Sequence, residues 1–236
     1  MKITFIGVGT AVMGVQSCIL VEGEETRIVV DVGAGSSVRL NYRDLDAILI
    51  THNHLDHIGD ILPILKARWL SGCDYIDIYG VRGTRSFMES LIEAYAYLRN
   101  KLKFKIHEGL SEFRIGEFRI DVIPTYHSIE SQAYLISDGE KSVLISGDTR
   151  AFKELMEIEC DVLIHEMSLP FGYSSTDHTT PENFAENLKF CNAKTVYLTH
   201  IYPQTLEVLD DIMRYLRGVR RDIEFKVARE MESFNI

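Results

Sequence analysis

Six short runs of Val, Ile and Leu, each closing on a residue of metal-ligating or acid–base type, set the strongest limit on how this chain can fold. They are Ile28-Val29-Val30-Asp31, Ala47-Ile48-Leu49-Ile50-Thr51-His52, Val122-Ile123-Pro124-Thr125-Tyr126-His127, Val143-Leu144-Ile145-Ser146-Gly147-Asp148, Val162-Leu163-Ile164-His165-Glu166 and Val196-Tyr197-Leu198-Thr199-His200. An unbroken apolar run of four to six residues fits a strand buried on both faces, and so a sheet covered by helices. Strands that merely ran out into polar loops would not end so narrowly on His and Asp. The expected class is therefore α/β, with chemistry gathered at strand ends.

Helical stretches lie between these runs. Gly59 to Trp69 carries Ile61, Leu62, Ile64 and Leu65 on a broad apolar face, and Thr84 to Leu98 spaces Phe87, Leu91, Tyr95 and Leu98 by three and four. At such spacings Trp69, Tyr95 and Tyr97 read as core. Thr180-Pro181-Glu182 reads as a helix start, with Thr180 capping and Pro181 at the first helical position, and a last helix runs from about Gln204 to Arg217. Met1 to Gly7 reads as a first strand rather than a signal peptide, and residues 113–120 as a hairpin turning at Gly116-Glu117.

The length of 236 residues suits one domain, 1–236, with no linker or shift in composition to divide it. No window reaches the roughly 18 apolar residues that cross a bilayer. Cys18, Cys73, Cys160 and Cys191 form no C-x-x-C pair, so neither a thiolate zinc site nor a disulfide framework is expected, and the cytoplasm is the expected location. Asp plus Glu number 35 against 25 Lys plus Arg, a net charge of −10, which argues against a broad basic face for nucleic acid. Cations held inside the protein would offset part of that charge at one spot.

The densest chemistry is Thr51-His52-Asn53-His54-Leu55-Asp56-His57, four ligand-type side chains within six residues, directly after a buried strand. A loop leaving a strand can turn His52 and His54 to one point and Asp56 and His57 to a neighbouring one, as two nearby metal ions require. Imidazole and carboxylate suit zinc foremost, with manganese or iron as alternatives.

H-x-H-x-D-H after an apolar strand resembles the metallo-β-lactamase superfamily, and the likeness runs over nearly the whole chain. Asp31 matches that family's upstream strand-end Asp, and His127, Asp148 and His200 follow in the family's order. The resemblance implies a four-layer αββα sandwich and two divalent metal ions per chain. One would sit on His52, His54 and His127, the second on Asp56, His57 and His200, with Asp148 and a hydroxide shared between them. His54 stands where diiron redox members carry Glu, which disfavours redox chemistry, and Asp148 where many antibiotic-hydrolysing members carry Cys.

Within the superfamily the second half looks most like tRNase Z, the endonuclease that trims tRNA 3′ ends. Ser146-Gly147-Asp148-Thr149-Arg150, His165-Glu166-Met167-Ser168 and His178-Thr179-Thr180 match its ordered motifs. The resemblance implies that Glu166 holds His178 and that His178 protonates the leaving oxygen. Asp56, His178 and Glu166 are thus the candidate catalytic residues. A carboxylate-held imidazole near a binuclear site can give the proton a departing alkoxide needs.

Two parts of tRNase Z are absent. From His127 to Asp148 there are 148 − 127 = 21 positions, room for one hairpin and not for the arm that grips tRNA, and the loop Gly9 to Ser17 carries no basic residue. The expected activity is therefore metal-dependent hydrolysis of a small or single-stranded phosphodiester or nucleotide. A compact tRNase Z-like endonuclease, drawing its grip from a second copy of the chain as a homodimer, is the alternative. A non-catalytic binding protein of the same fold is the alternative of another class. Nucleic acid is a less favoured partner than a small molecule, and no membrane partner is expected. His107 reads as surface, His165 as a support for Glu166 or a core residue, and Arg217 to Arg221 as a solvated helix end.

Overall fold

The computed structural model describes all 236 residues. The first half builds strands β1 (Lys2–Gly7), β2 (Cys18–Glu22), β3 (Arg27–Val30), β4 (Ala47–Leu49), β5 (Ile76–Gly80) and β6 (Phe104–Glu108). The second builds β7 (Glu112–Ile115), β8 (Phe118–Pro124), β9 (Gln132–Ser137), β10 (Ser142–Ile145), β11 (Val162–Glu166), β12 (Thr195–Thr199) and β13 (Glu224–Val227), and β14 (Ser233–Asn235) returns to the first sheet. Two seven-stranded sheets result, ordered β14-β1-β2-β3-β4-β5-β6 and β13-β12-β11-β10-β9-β8-β7. Both are mixed: β3 to β6 and β10 to β13 pair in parallel, while the remaining neighbours pair antiparallel.

Alternation along the strands explains the layers. Ile28 and Val30 face one way and Val29 the other, because successive strand residues point to opposite faces. The inward set, including Ile3, Phe5, Ile28, Val30 and Leu49, meets Phe118, Tyr134, Ile136, Val143 and Ile164 between the sheets. Outward residues of the first sheet, among them Leu20, Val29, Ile48 and Ile78, pack on α1 (Leu55–Ile58), α2 (Ile61–Leu70) and α3 (Thr84–Ala94). Those of the second, among them Leu144, Leu163, Val196 and Phe225, pack on α4 (Lys153–Met156), α5 (Pro181–Asn187) and, past the short α6 (Pro203–Leu206), α7 (Leu209–Val219). This is the expected four-layer αββα sandwich.

Local signals held in several places. Thr180 accepts a hydrogen bond from the Asn183 amide at 3.2 Å with Pro181 next in the helix, and Ile115 pairs with Phe118 across a turn in which Gly116 has φ 53°. Two helices are shorter than their periodicity predicts. At Tyr95 the backbone leaves the helical region (φ −111°, ψ 54°), so Tyr95 and Tyr97 are exposed rather than core. The last helix is broken in two before Leu209, where Val208 sits outside the helical region. No helix is long and apolar enough to cross a membrane.

Candidate metal centre

In both sheets the parallel strands run toward the same end, and the chemistry gathers at their carboxyl termini, where open α/β sheets bind ligands. Asp31 follows β3, His52 follows β4, Asp148 follows β10, Glu166 ends β11 and His200 follows β12. His127 lies just beyond β8, and Asp56 and His57 fall in α1. Gly147 is what lets the two sheets meet here. Its φ is +60°, and a Cβ at that position would lie 2.8 Å from the Thr51 Cβ, so only glycine brings Asp148 beside the His52 loop.

The nitrogens and carboxylates converge in overlapping groups: His52, His54 and His127; His52, His57 and Asp148; Asp56, His57 and His200; and His127, Asp148 and His178. His54 Nδ1 lies 3.1 Å from His52 Nε2 and 3.0 Å from His127 Nε2. His57 Nε2 is 3.2 Å from Asp148 Oδ1, and His200 Nε2 is 3.1 Å from Asp56 Oδ2 and 3.6 Å from Asp148 Oδ2.

The outer nitrogens test whether this set fits metal ions. His57 Nδ1–H donates to Asp31 Oδ2 at 2.7 Å, and His127 Nδ1–H to the Asp177 carbonyl at 3.0 Å. The Thr51 hydroxyl gives its proton to Asp31 and so accepts from His52 Nδ1–H at 3.0 Å. Ser168 Oγ donates to the His200 carbonyl at 3.0 Å and so accepts from His200 Nδ1–H at 3.1 Å. Four imidazoles therefore commit Nδ1–H to an outer partner and turn Nε2 inward, an arrangement that orients histidines for a metal. The inward nitrogens of His52, His54 and His127 lie about 3 Å apart, and a single Nδ1–H on His54 can serve only one of its two neighbours. They match neighbouring donors around a tetrahedral ion, which bonds of 2.0–2.1 Å place about 3.3 Å apart. His57 Nε2 and Asp148 Oδ1 are buried without a hydrogen-bond partner, as donors to a cation would be.

Electrostatics agree. Burial, with the charges of neighbouring imidazoles, holds His52 and His54 below the usual histidine range, so protons do not fill the cluster. Asp148 is buried, yet His200, His57 and His52 keep its carboxyl well below the usual range. Burial opposes charge on His57 too, but Asp148 and Asp31 on either side raise it well above its ordinary value. A cation held here would take the place of that proton.

Beside the cluster Glu166, 1% exposed, accepts from the Thr149 amide at 2.9 Å and the Ser168 amide at 3.0 Å. The His178 ring nitrogen Nδ1 lies 2.8 Å from its Oε1 and 4.0 Å from Asp148 Oδ2. Burial works against a charged His178, but Glu166 and then Asp148 prevail and push it up to about 9. His165 points the other way. As the neighbour of Glu166 in β11 it faces α5, its ring against Phe184 at 5.0 Å, its Nδ1–H on the Glu166 carbonyl, and its burial keeps it neutral. His107 is half-exposed, paired with Asp77 at 2.8 Å and far along β6.

Three contributors were given no role from the sequence: Thr51 and Ser168, which orient His52 and His200, and Tyr202. The Tyr202 ring stands edge-on to His178 (6.1 Å, 85°) and to His200 (5.7 Å, 86°), and burial with the carboxylates Asp148, Asp56 and Glu166 pushes its phenol up to about 12. A Tyr-Pro step two residues after the last histidine is the only hint in the sequence.

A two-sheet αββα sandwich with such a His/Asp cluster at shared strand ends defines a metal-dependent hydrolase. The family model described as Metallo-beta-lactamase superfamily matches residues 12–200, and the chain belongs to that superfamily. The enzyme reading stands, and the non-catalytic alternative is set aside. Ribonuclease Z of Bacillus subtilis (strain 168) is 26% identical over 274 positions, covering 85% of this chain and 88% of that protein. The metallo-beta-lactamase fold protein YhfI from Bacillus subtilis superposes with a TM-score of 0.84 at 23% identity, over 99% of this chain and 98% of that one. The short form of human tRNase Z gives 0.80 at 22% identity over 100% and 99%, and a diphosphatase of the PhnP family 0.75 at 16% over 100% and 97%.

Proposed function

We propose that this chain is a binuclear phosphodiesterase acting on a small or single-stranded phosphodiester. The observation that carries the reading is the Glu166–His178 pair, 2.8 Å apart and 4.0 Å from Asp148. One ion would be held by His52, His54 and His127 and the other by Asp56, His57 and His200, with Asp148 between them; zinc suits the donors foremost, manganese or iron as alternatives. Two divalent cations held there would supply a water that ionises near neutral pH, against about 15.7 for bulk water, and positive charge to offset that of the phosphoryl group. Glu166 fixes His178 through Nδ1 and leaves Nε2 free for the leaving oxygen. Because Glu166 keeps the imidazole protonated at neutral pH, His178 can give up a proton as the P–O bond breaks. An alcohol leaving group needs that proton; a nitrophenolate does not.

The small substrate is supported by what surrounds the site. The stretch between His127 and Asp148 holds only β9, a turn and β10. In the alignment with the Bacillus subtilis relative, 85% of 236 residues is about 200, so 274 − 200, or about 70, positions fall opposite gaps in this chain. The likeness to a diphosphatase of the PhnP family supports the same reading. The second reading, a compact tRNA 3′-processing nuclease that takes its grip on the tRNA from a second copy of the chain, draws on the relatives named Ribonuclease Z. Four free cysteines fit a reducing cytoplasm.

The test combines elemental analysis with hydrolysis of bis(p-nitrophenyl) phosphate, cyclic and linear dinucleotides and a precursor tRNA under added Zn²⁺ or Mn²⁺. The reading expects close to two metal ions per chain and metal-dependent turnover of the small diesters. Specific cleavage of the tRNA at low enzyme concentration, without turnover of dinucleotides, would replace it with the nuclease reading.

A further inference from the structure

The wall formed by His178 and His200 contains a polar group that neither the metal cluster nor the Glu166–His178 pair uses. The two imidazoles are nearly parallel, 10° apart in plane with centroids 6.3 Å apart, and the Tyr202 ring crosses the edge of both. The residue is rigidly set. It is the N-cap of α6, with Pro203 next, and its carbonyl accepts from the Thr205 and Leu206 amides at 2.9 and 3.0 Å. Thr205 in turn donates to the Ser168 carbonyl at 2.6 Å, and Ser168 is the residue that orients His200. Tyr202 is thereby locked into the framework that positions the centre.

Its hydroxyl makes no hydrogen bond within the protein, although its ring lies against His178 and His200 at the edge of the metal centre. The residue is half-buried, with its ring edge-on to both histidines. The other hydroxyls packed around the cluster, Thr51 and Ser168, are committed to Asp31 and His200. A neutral phenol fixed at a site rich in carboxylates and histidines is a donor, and the acceptor such a site receives is the substrate's oxygen.

We propose that the Tyr202 hydroxyl donates a hydrogen bond to a non-bridging phosphoryl oxygen of the substrate and strengthens that bond as charge builds there. This rests on the phosphodiesterase reading. A donor to a non-bridging oxygen serves every leaving group alike, whereas a group acting through His178 serves only those that need a proton.

The Tyr202→Phe enzyme, loaded with Zn²⁺, is compared with the unmutated one on bis(p-nitrophenyl) phosphate and on a linear dinucleotide, with metal content, thermal midpoint and the dissociation constant for inorganic phosphate measured alongside. The expected result is a similar fall in kcat on both substrates, roughly 10–100-fold as for a lost transition-state donor, with several-fold weaker phosphate binding and unchanged metal content. A loss confined to the dinucleotide overturns the proposal and makes Tyr202 a positioning residue for His178. Unchanged kinetics and phosphate affinity overturn it outright, as does a loss that follows lost metal. If the unmutated enzyme turns over no phosphodiester with any metal, the underlying reading falls and this role with it; turnover with an unaffected Tyr202→Phe variant removes only the role of Tyr202.

Discussion

Asp31 sits one step away from the cluster and yet governs two of its members. Its carboxylate accepts from the Thr51 amide at 2.8 Å, from the Thr51 hydroxyl and from His57 Nδ1, all with φ at +60°, a conformation that Asp tolerates better than most residues. Asn at this position keeps the shape but offers one acceptor oxygen in place of two. The Asp31→Asn enzyme should therefore fold normally and bind metal 10–100-fold more weakly, the range for a lost partner of a ligating histidine, as read by competition with a chelator. His178 calls for the opposite pattern. His178→Ala should retain its metal while kcat on a dinucleotide falls roughly 10²–10⁴-fold, as for a missing general acid, and much less on bis(p-nitrophenyl) phosphate, whose leaving group departs without a proton. Equal losses on the two substrates would mean that His178 binds phosphate instead, and His54→Ala should lose metal and activity together.

At the scale of elements, the end of the sandwich opposite the metal centre is tied by a carboxylate. Glu117, in the β7–β8 turn, accepts from the amides of Glu25 and Thr26 at 3.2 and 3.3 Å and from the Thr26 hydroxyl, reaching across to the β2–β3 turn. Its slight burial opposes ionisation, but these donors outweigh it and hold the carboxyl down to about 2. The folded value lies below that of the unfolded chain, about 4.3, so the tie contributes stability above the unfolded value and loses it as pH falls toward 2. In thermal melts the deficit of Glu117→Gln should be present at pH 6 and shrink below about pH 4.5; a deficit constant down to pH 3 would assign the effect to packing. Legibility in the sequence differed between elements for physical reasons. The aliphatic runs announced the buried strands because both faces of each are covered, and Thr180-Pro181 marked its helix start because a cap is a local device. Strand β14 has no such signature, since only Phe234 of its three residues packs inward and its pairing with Lys2–Thr4 joins the two ends of the chain. The ligand types were legible because four of them crowd into one loop. Their orienting partners were not, because Ser168 lies 32 positions from His200 and Asp177 lies 50 from His127.

The whole molecule carries a net charge of −10 around a centre that, on the proposed reading, must receive an anion. Attraction can only be local, supplied by bound cations and by donors such as His178, and it does not extend along a polymer. Proteins that hold nucleic acid by its backbone neutralise many phosphates, and their affinity falls with salt by about 0.7 log units per log unit for each phosphate contacted on a single strand. Here the loop Gly9 to Ser17 has no basic residue and the β9–β10 hairpin turns tightly at residues 138–141, so few phosphates beyond the scissile one can be met. For single-stranded oligonucleotides of two to ten residues, kcat/KM per cleavable bond should therefore stay level with length. A plot of its logarithm against that of salt concentration should have a slope shallower than about −1.5, that of two contacts. A precursor tRNA that outcompetes the dinucleotide, with a slope several times steeper, would mean that an extended basic surface forms when two copies associate, and the nuclease reading would then account for the enzyme better than the small diester.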